Sequence, residues 1–371
     1  MPHASEPELD HFISVKPTKE NLEYADLVCL DFSKWNDDDP ESIKALAEQL
    51  KYAMRTQGFF LIENHGVSKE TIDRQVDIGY NVLTKTPLEE KQRLEAKIKA
   101  RGSYQGFKLR KYWTIENGVK DQIEQYNWNR DLSLFDHPST FKPFISEVQE
   151  LNDYLHKVIL HRILTLFEVS LELPKGYLVS RHKYETFDES WFRYMMYFRE
   201  HEEGDMEKTG GLWLKGHQDF GTITMLFSQP MISLQLKDHF SGKWRYVPYR
   251  PGAILINAGE FIEWWTGGYY KATIHRVHQP PADQRNQDRC GLFYFTVPNE
   301  NVPINTLIDE SPVLRAAGVQ RRFEPGEEPT SEMYVRARIG AYGQTSIFQK
   351  KNKGVDGEMI GGIKTTATHI S

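Results

Sequence analysis

The chain has 371 residues, of which 39% are apolar and 12% aromatic, enough to bury a sizeable core. A formal net charge of −6 and the lack of any Lys/Arg-rich stretch argue against a nucleic-acid partner, and no apolar run is long enough to span a bilayer. Two cysteines, Cys29 and Cys290, are too few for a disulfide framework, and the start Met1-Pro2-His3-Ala4-Ser5 has neither the basic nor the apolar stretch of a secretory signal, so a reducing, cytoplasmic setting is expected.

Residues 1–25 are polar and read as a loose N-terminal segment. A region of mixed helices and strands is expected over 26–180. It opens on a strand at Val28-Cys29-Leu30-Asp31-Phe32, followed over 41–56 by a helix with Ile43, Leu46, Leu50 and Met54 on one stripe. Gly58-Phe59-Phe60-Leu61-Ile62 reads as a buried strand closed by the turn Asn64-His65-Gly66, and Ser68 starts a second helix. Thr86, Pro87 and the acids Glu89 and Glu90 have the pattern of a capped helix start with Thr86 as the cap. One long amphipathic helix is predicted over 141–171, on Phe144, Val148, Leu151, Leu155, Ile159, Ile163 and Phe167.

Over 181–300 the pattern changes to short strands, at 191–199, 222–228, 233–237, 244–248, 253–257, 271–278 and 290–297, punctuated by glycine and proline. Their regular spacing predicts an α+β protein with a double-stranded β-helix, or jelly-roll, core and packing helices. A helical segment over 301–349, with its last helix at 332–342, and a mobile tail rich in Gly, Lys and Thr over 350–371 complete the expected organisation.

Within the strand-rich region stand His217 and Asp219, then His275, then Arg289. Side chains two apart on a strand face the same way, so His217 and Asp219 are expected to point together, with His275 supplied by a distant strand. A His-x-Asp pair alone carries little; a strand-borne histidine and an arginine 14 residues further on change that. Two imidazoles and a carboxylate can hold one face of an octahedral ion and leave the other open, as in non-haem iron(II) oxygenases, although the same donors also suit zinc. Period-two geometry places Arg289, Gly291, Phe293 and Phe295 on one face, and Arg193, Met195, Tyr197 and Arg199 on another. An inward guanidinium needs an anionic partner, which a dicarboxylate ligand or an internal acid can supply.

At these residues the chain resembles the isopenicillin-N-synthase-like branch of the 2-oxoglutarate/iron(II) dioxygenases, with wording closest to fungal members. The likeness covers about residues 27–300, through Leu30-Asp31-Phe32, Asn64-His65-Gly66, Pro87-Leu88-Glu89-Glu90-Lys91, Gly216-His217-Gln218-Asp219-Phe220, Ile256-Asn257-Ala258-Gly259-Glu260 and Tyr270-Lys271-Ala272-Thr273-Ile274-His275. The resemblance implies iron(II) on His217, Asp219 and His275, with 2-oxoglutarate as co-substrate and dioxygen as oxidant. It implies that Arg289, helped by Tyr197, holds the distal carboxylate of 2-oxoglutarate, and that Arg193, Phe220 and Phe295 line the substrate pocket. The expected outcome is oxidation of a small organic molecule in secondary metabolism. The family usually has Arg-x-Ser where this chain has Arg289-Cys290-Gly291. The lost hydroxyl removes a hydrogen bond to the co-substrate, and a serine at 291 is expected to tighten it.

Alternatives are a nucleobase oxygenase like thymine hydroxylase, an iron oxidase of the same fold that uses no 2-oxo acid, and a jelly-roll binding protein without catalysis. His65 reads as structural, His278 as a surface residue, 201–208 as a solvated loop, Trp264 and Trp265 as core, and Cys290 as packed away from the metal. Nothing in the sequence indicates an oligomeric state.

Overall fold

The computed structural model describes residues 8–341, 357–360 and 363–366. In chain order, strands β1 (Cys29–Asp31), β2 (Phe59–Glu63), β3 (Gly106–Lys108), β4 (Ile123–Trp128), β5 (Trp191–Tyr197), β6 (Leu212–His217), β7 (Ile223–Phe227), β8 (Leu234–Lys237), β9 (Trp244–Tyr246), β10 (Ile254–Ala258), β11 (His275–His278) and β12 (Arg289–Phe295) build two sheets. The larger has the order β1-β2-β10-β7-β12-β5-β4-β3 and the smaller β6-β11-β8-β9. Neighbours are antiparallel except β1 and β2. Strands close in space and far apart in sequence, such as β2 beside β10 and β6 beside β11, are the crossing connections of a jelly roll.

The two faces of the large sheet have different partners. Tyr194 and Cys290 turn outward onto the helix Lys69–Lys85, where the Tyr194 hydroxyl donates to Gln75 Oε1 at 2.7 Å and Cys290 Sγ lies 3.8 Å from Val76 O. Arg193, Met195, Tyr197, Arg289, Phe293 and Phe295 turn inward and line a cavity between the sheets. Every residue of β5 is buried for that reason, although its side chains alternate between core and cavity.

The helix Pro40–Thr56 starts as its sequence dictates: Asp39 accepts from the backbone of Glu41 and Pro40 takes the first turn. It packs on the helix His161–Leu171, which is continuous with Ile145–Tyr154 through a π-helical stretch, Leu155–Leu160. The apolar stripe expected over 141–171 is buried throughout. The wider turn, which periodicity alone does not reveal, carries His156 between the Tyr294 hydroxyl at 2.6 Å and the carbonyl of His182 at 2.8 Å.

Several expectations are corrected. Thr86 closes the helix Lys69–Lys85 instead of capping the next one: its hydroxyl donates back to Val82 O at 2.7 Å, and Leu88–Arg93 has no side-chain cap. The described part of the N-terminal segment is tied down, with Phe12 N donating to Asp77 at 2.8 Å and Lys19 N to Asp283 at 2.9 Å. Carboxylates of the folded body satisfy its backbone where no strand or helix does. Strands β3 and β4 extend the large sheet in a stretch read without strands. Their mixed polar sequence hides them, because Lys108, Glu124 and Asn127 are buried on polar partners. The segment read as a tail contains an antiparallel pair, Gly357–Ile360 with Ile363–Thr366; the rest of 350–371 lies outside the described residues.

Candidate metal centre and active-site cavity

β6 ends at His217 and β11 begins at His275, and the two residues are paired directly across the antiparallel ladder. Their rings lie 4.4 Å apart, centroid to centroid. The strand expected over 271–278 is half that length, because 271–274 have left the ladder before His275 joins it. Asp219 follows the end of β6 and is not part of the strand. Strand alternation therefore does not explain its position; the turn after β6 does.

That turn is fixed from the segment just past β10. Glu260 N donates to Asp219 O at 2.8 Å, Gly259 N to Thr222 O at 2.9 Å and Phe261 N to Gly221 O at 3.1 Å. A Cβ at Gly259 would overlap Gly221 O, so only glycine permits the approach. The Asp219 side chain is held by Asn257 Nδ2 at 2.8 Å and Thr224 Oγ1 at 2.7 Å, both donating to Oδ2. Oδ1 is left facing the imidazoles, 3.7 Å from His217 Nε2 and 3.8 Å from His275 Nε2. Burial pushes the Asp219 carboxyl up, but His275, His217 and the two hydrogen bonds outweigh it, and the net direction is down.

The outer ring nitrogens are oriented by the chain itself. His217 Nδ1 lies 3.0 Å from Lys215 O, and His275 Nδ1 3.1 Å from Thr273 O. A nitrogen facing a carbonyl carries the hydrogen, which leaves Nε2 with a lone pair directed at the centre. The ligand atoms of His217, Asp219 and His275 all lie within 4.8 Å of one another, and this is the grouping among the described residues able to hold a metal ion. Two imidazoles and one carboxylate held at these positions fit iron(II) with open positions left over.

Arg289 sits in the same cavity, on β12 opposite Tyr197 of β5. Its guanidinium lies 5.0 Å from the Tyr197 ring centre and shares a hydrogen bond with that hydroxyl. Nε and Nη1 are buried and have no partner among the described residues. Among the described residues no acid is paired with this arginine, and buried donors of this kind call for an acceptor. Burial lowers its proton affinity, but not enough to discharge a guanidinium.

Arg193 lies opposite Phe293. Its Nε donates to Asn127 Oδ1 at 2.6 Å, and its guanidinium lies 4.6 Å from the ring of Phe295, 5.1 Å from Tyr104 and 5.8 Å from Trp191. Phe220, next to Asp219, packs at a tilt against Trp191 with ring centres 5.7 Å apart. The cavity therefore has a cationic, aromatic wall around Arg193 and a separate cationic end at Arg289.

The structure gathers His217, Asp219, His275, Arg289, Tyr197, Arg193, Phe220 and Phe295 around one cavity. Gly291 is on the same strand face but is not part of the lining, and Arg199, expected to share the face of Arg193, lies beyond β5 and is exposed. His278 is half-buried instead of on the surface, its ring against Gln279 O at 2.9 Å and Gly210 O at 3.2 Å. The stretch 201–208 holds a short helix, Asp205–Lys208. His65 is structural, with Nε2 2.7 Å from Gly252 O, and burial pushes the Cys290 thiol up to about 12. Sequence reasoning missed Asn257 and Thr224 as holders of Asp219, and Tyr104, Trp113 and Trp191 as cavity walls. Trp191 was within reach, since it is two residues before Arg193 on one strand.

Comparison with known proteins agrees with this arrangement. The family described as non-haem dioxygenase in morphine synthesis N-terminal matches residues 27–147, and the 2OG-Fe(II) oxygenase superfamily matches residues 190–298. The chain belongs to the 2-oxoglutarate/iron(II) oxygenases. A 2-oxoglutarate-dependent dioxygenase of Penicillium crustosum is 28% identical over 64% of this chain and 75% of its own length. Validamycin A dioxygenase of Streptomyces hygroscopicus subsp. limoneus is 26% identical over 72% and 75%. The fold matches that of a full-length Neurospora crassa protein solved in complex with alpha-KG and thymine, with a TM-score of 0.71 at 20% identity over 85% of this chain and 96% of that one. The oxygenase is thus an enzyme requiring iron(II), 2-oxoglutarate and dioxygen, which sets aside the co-substrate-free oxidase and the non-catalytic binding protein. No helix among its described residues is long and apolar enough to cross a membrane.

Proposed function

We propose that His217, Asp219 and His275 hold iron(II), that Arg289 and Tyr197 hold the distal carboxylate of 2-oxoglutarate, and that the oxygenase oxidises a flat small molecule of secondary metabolism bearing an acidic or carbonyl group. The observation that carries the reading is the pair of facing sites in one cavity. Two imidazole Nε2 atoms converge on Asp219 Oδ1 at 3.7 and 3.8 Å, while Arg289 presents two buried donors without partners among the described residues. When bound, iron(II) with 2-oxoglutarate and dioxygen supplies oxidative decarboxylation to succinate and carbon dioxide, coupled to removal of a hydrogen atom from substrate.

The residues of the chain do the rest by position. Lys215 O and Thr273 O keep both imidazoles in the tautomer that binds metal, and Asn257 with Thr224 keeps one carboxylate oxygen turned inward. Phe59, Phe220, Phe293 and Phe295 exclude water from the cavity. Arg193 orients the substrate through its anionic or carbonyl oxygen, with Tyr104, Trp191 and Phe295 offering flat faces for stacking. Hydroxylation, desaturation and rearrangement are all compatible with these walls.

Anaerobic addition of 2-oxoglutarate to the iron(II) protein tests the first half: a weak visible charge-transfer band is expected, and its absence would refute the assignment of the centre. Succinate release with a panel of flat acidic and heterocyclic compounds tests the second. A nucleobase is the second reading, favoured by the arginine within an aromatic wall. Thymine-dependent succinate release would select it.

A further inference from the structure

We propose that Gln229 replaces the missing serine hydroxyl in binding the distal carboxylate of 2-oxoglutarate. This rests on the reading of Arg289 given above and adds a residue to it. Gly291 lies on the same strand face as Arg289 and Phe293, two residues from each. A Cβ built at Gly291 would stand 3.1 Å from both Nε2 and Oε1 of Gln229, and 3.1 Å from Phe293 Cε2. The space left by the absent side chain is therefore filled by the end of another residue.

Gln229 comes from the segment just past β7 and is anchored by donating from Nε2 to the carbonyl of Cys290, the residue between Arg289 and Gly291. An amide nitrogen carries two hydrogens, so one remains for a ligand. Oε1 is buried and has no partner among the described residues, and neither have Nε and Nη1 of Arg289. Gln229 and Arg289 line the same smaller cavity beside the metal site, where an anion would satisfy the Arg289 donors while Gln229 Oε1, an acceptor, turns away from it. A carboxylate has about four acceptor positions, enough for Arg289, Tyr197 and the second Gln229 hydrogen together. The exchange of glycine for serine at 291 and the arrival of an amide at 229 then form one compensated change. The expectation that Gly291→Ser tightens 2-oxoglutarate is revised accordingly, because the new Cβ, at 3.1 Å, would crowd an amide that already fills the place of the hydroxyl.

The test is titration of the iron(II)-loaded protein under argon, read by the charge-transfer band, with 2-oxoglutarate and with pyruvate, a 2-oxo acid lacking the distal carboxylate. Gln229→Leu is expected to weaken 2-oxoglutarate about 10- to 100-fold, the range for a charge-assisted hydrogen bond, and to leave pyruvate unchanged. Gln229→Glu, of the same shape but with opposing charge, is expected to weaken it further. Unchanged 2-oxoglutarate affinity in Gln229→Leu, with a clear loss in Arg289→Leu, would overturn the role of Gln229 alone. Equal losses for both oxo acids would overturn it too, since packing and not the carboxylate would be the cause. Unchanged affinity in Arg289→Leu would overturn the placement of the co-substrate itself.

Discussion

His217 and His275 face each other directly across the β6–β11 ladder, 58 positions apart in the chain and 4.4 Å apart between ring centres. Cross-strand register, not local sequence, brings the two imidazoles together. Each ring is then locked by the carbonyl two residues before it, Lys215 O for one and Thr273 O for the other. The centre is preset before any ion arrives, so its ligands can be removed without dismantling the sheets around them.

His217→Ala and Asp219→Ala are therefore expected to lose bound iron and all turnover while keeping the parent far-UV circular dichroism and a cooperative melt. Iron content by atomic absorption and succinate release check this. Full activity with unchanged metal stoichiometry in either variant would remove the site.

Asn257 and Thr224 both donate to Oδ2 of Asp219. Without the amide, the carboxylate can turn and present the wrong oxygen. Asn257→Leu should weaken iron(II) about 10- to 100-fold, the usual effect of losing a partner that orients a ligand. Competition against a ferrous chelator measures it, and parent-like affinity would mean that Thr224 alone suffices.

The strand pattern and the His-x-Asp…His…Arg spacing were legible in the sequence because alternation and donor chemistry are local properties. What brings the groups together was not. Arg289 opposite Tyr197, and Arg193 opposite Phe293, follow from the register of β12 on β5, which no periodicity encodes. Strand alternation was the wrong ground for placing Asp219 beside His217, since it lies beyond the strand and is placed by backbone bonds to Gly259, Glu260 and Phe261 through its own turn. Strands β3 and β4 were invisible because buried ion pairs such as Lys108 with Asp121 make a core stretch look like a surface one.

Two buried histidines make stability depend on pH. Burial, with Arg130 nearby, pushes His156 down to about 3, and burial pushes His182 down to about 4. In the unfolded chain both return to near 6.5. The unfolded state thus binds more protons below pH 6.5, and stability falls as pH drops from there toward 4. The loss is about 2 kcal/mol for each histidine by pH 5. Urea unfolding at pH 7.5, 6 and 5 reads it, and a flat profile across that window would contradict the burial of both rings.

Gly58 has φ of +67°, and a Cβ there would overlap Lys271 O and crowd Thr273 Oγ1. The stretch it would push leads straight into His275. Gly58→Ala is expected to cost more than about 2 kcal/mol, combining left-handed strain with the clash, and to weaken iron binding with it. Urea midpoints and iron titration together test the link; a destabilised variant that binds iron normally would separate the two effects.

The helix Ser331–Ala341 bears on the centre through one buried pair. Arg338 Nη2 donates to Glu260 Oε1 at 3.0 Å, the Tyr334 hydroxyl donates to Oε2, and Glu260 N holds Asp219 O at 2.8 Å. Burial raises the Glu260 carboxyl, and Arg338 and Tyr334 pull it back only in part. Arg338→Ala strands that carboxylate in the core and is expected to cost about 3–5 kcal/mol, as for other broken buried pairs. The cost shrinks as pH falls, because protonation of Glu260 then relieves it. Arg338→Leu combined with Glu260→Leu should recover much of the stability, since an apolar pair needs no solvation. Thermal melts of the single and double variants at pH 8 and pH 6 decide the matter: a single variant as stable as the parent at pH 8 would show that this pair does not brace the turn carrying Asp219.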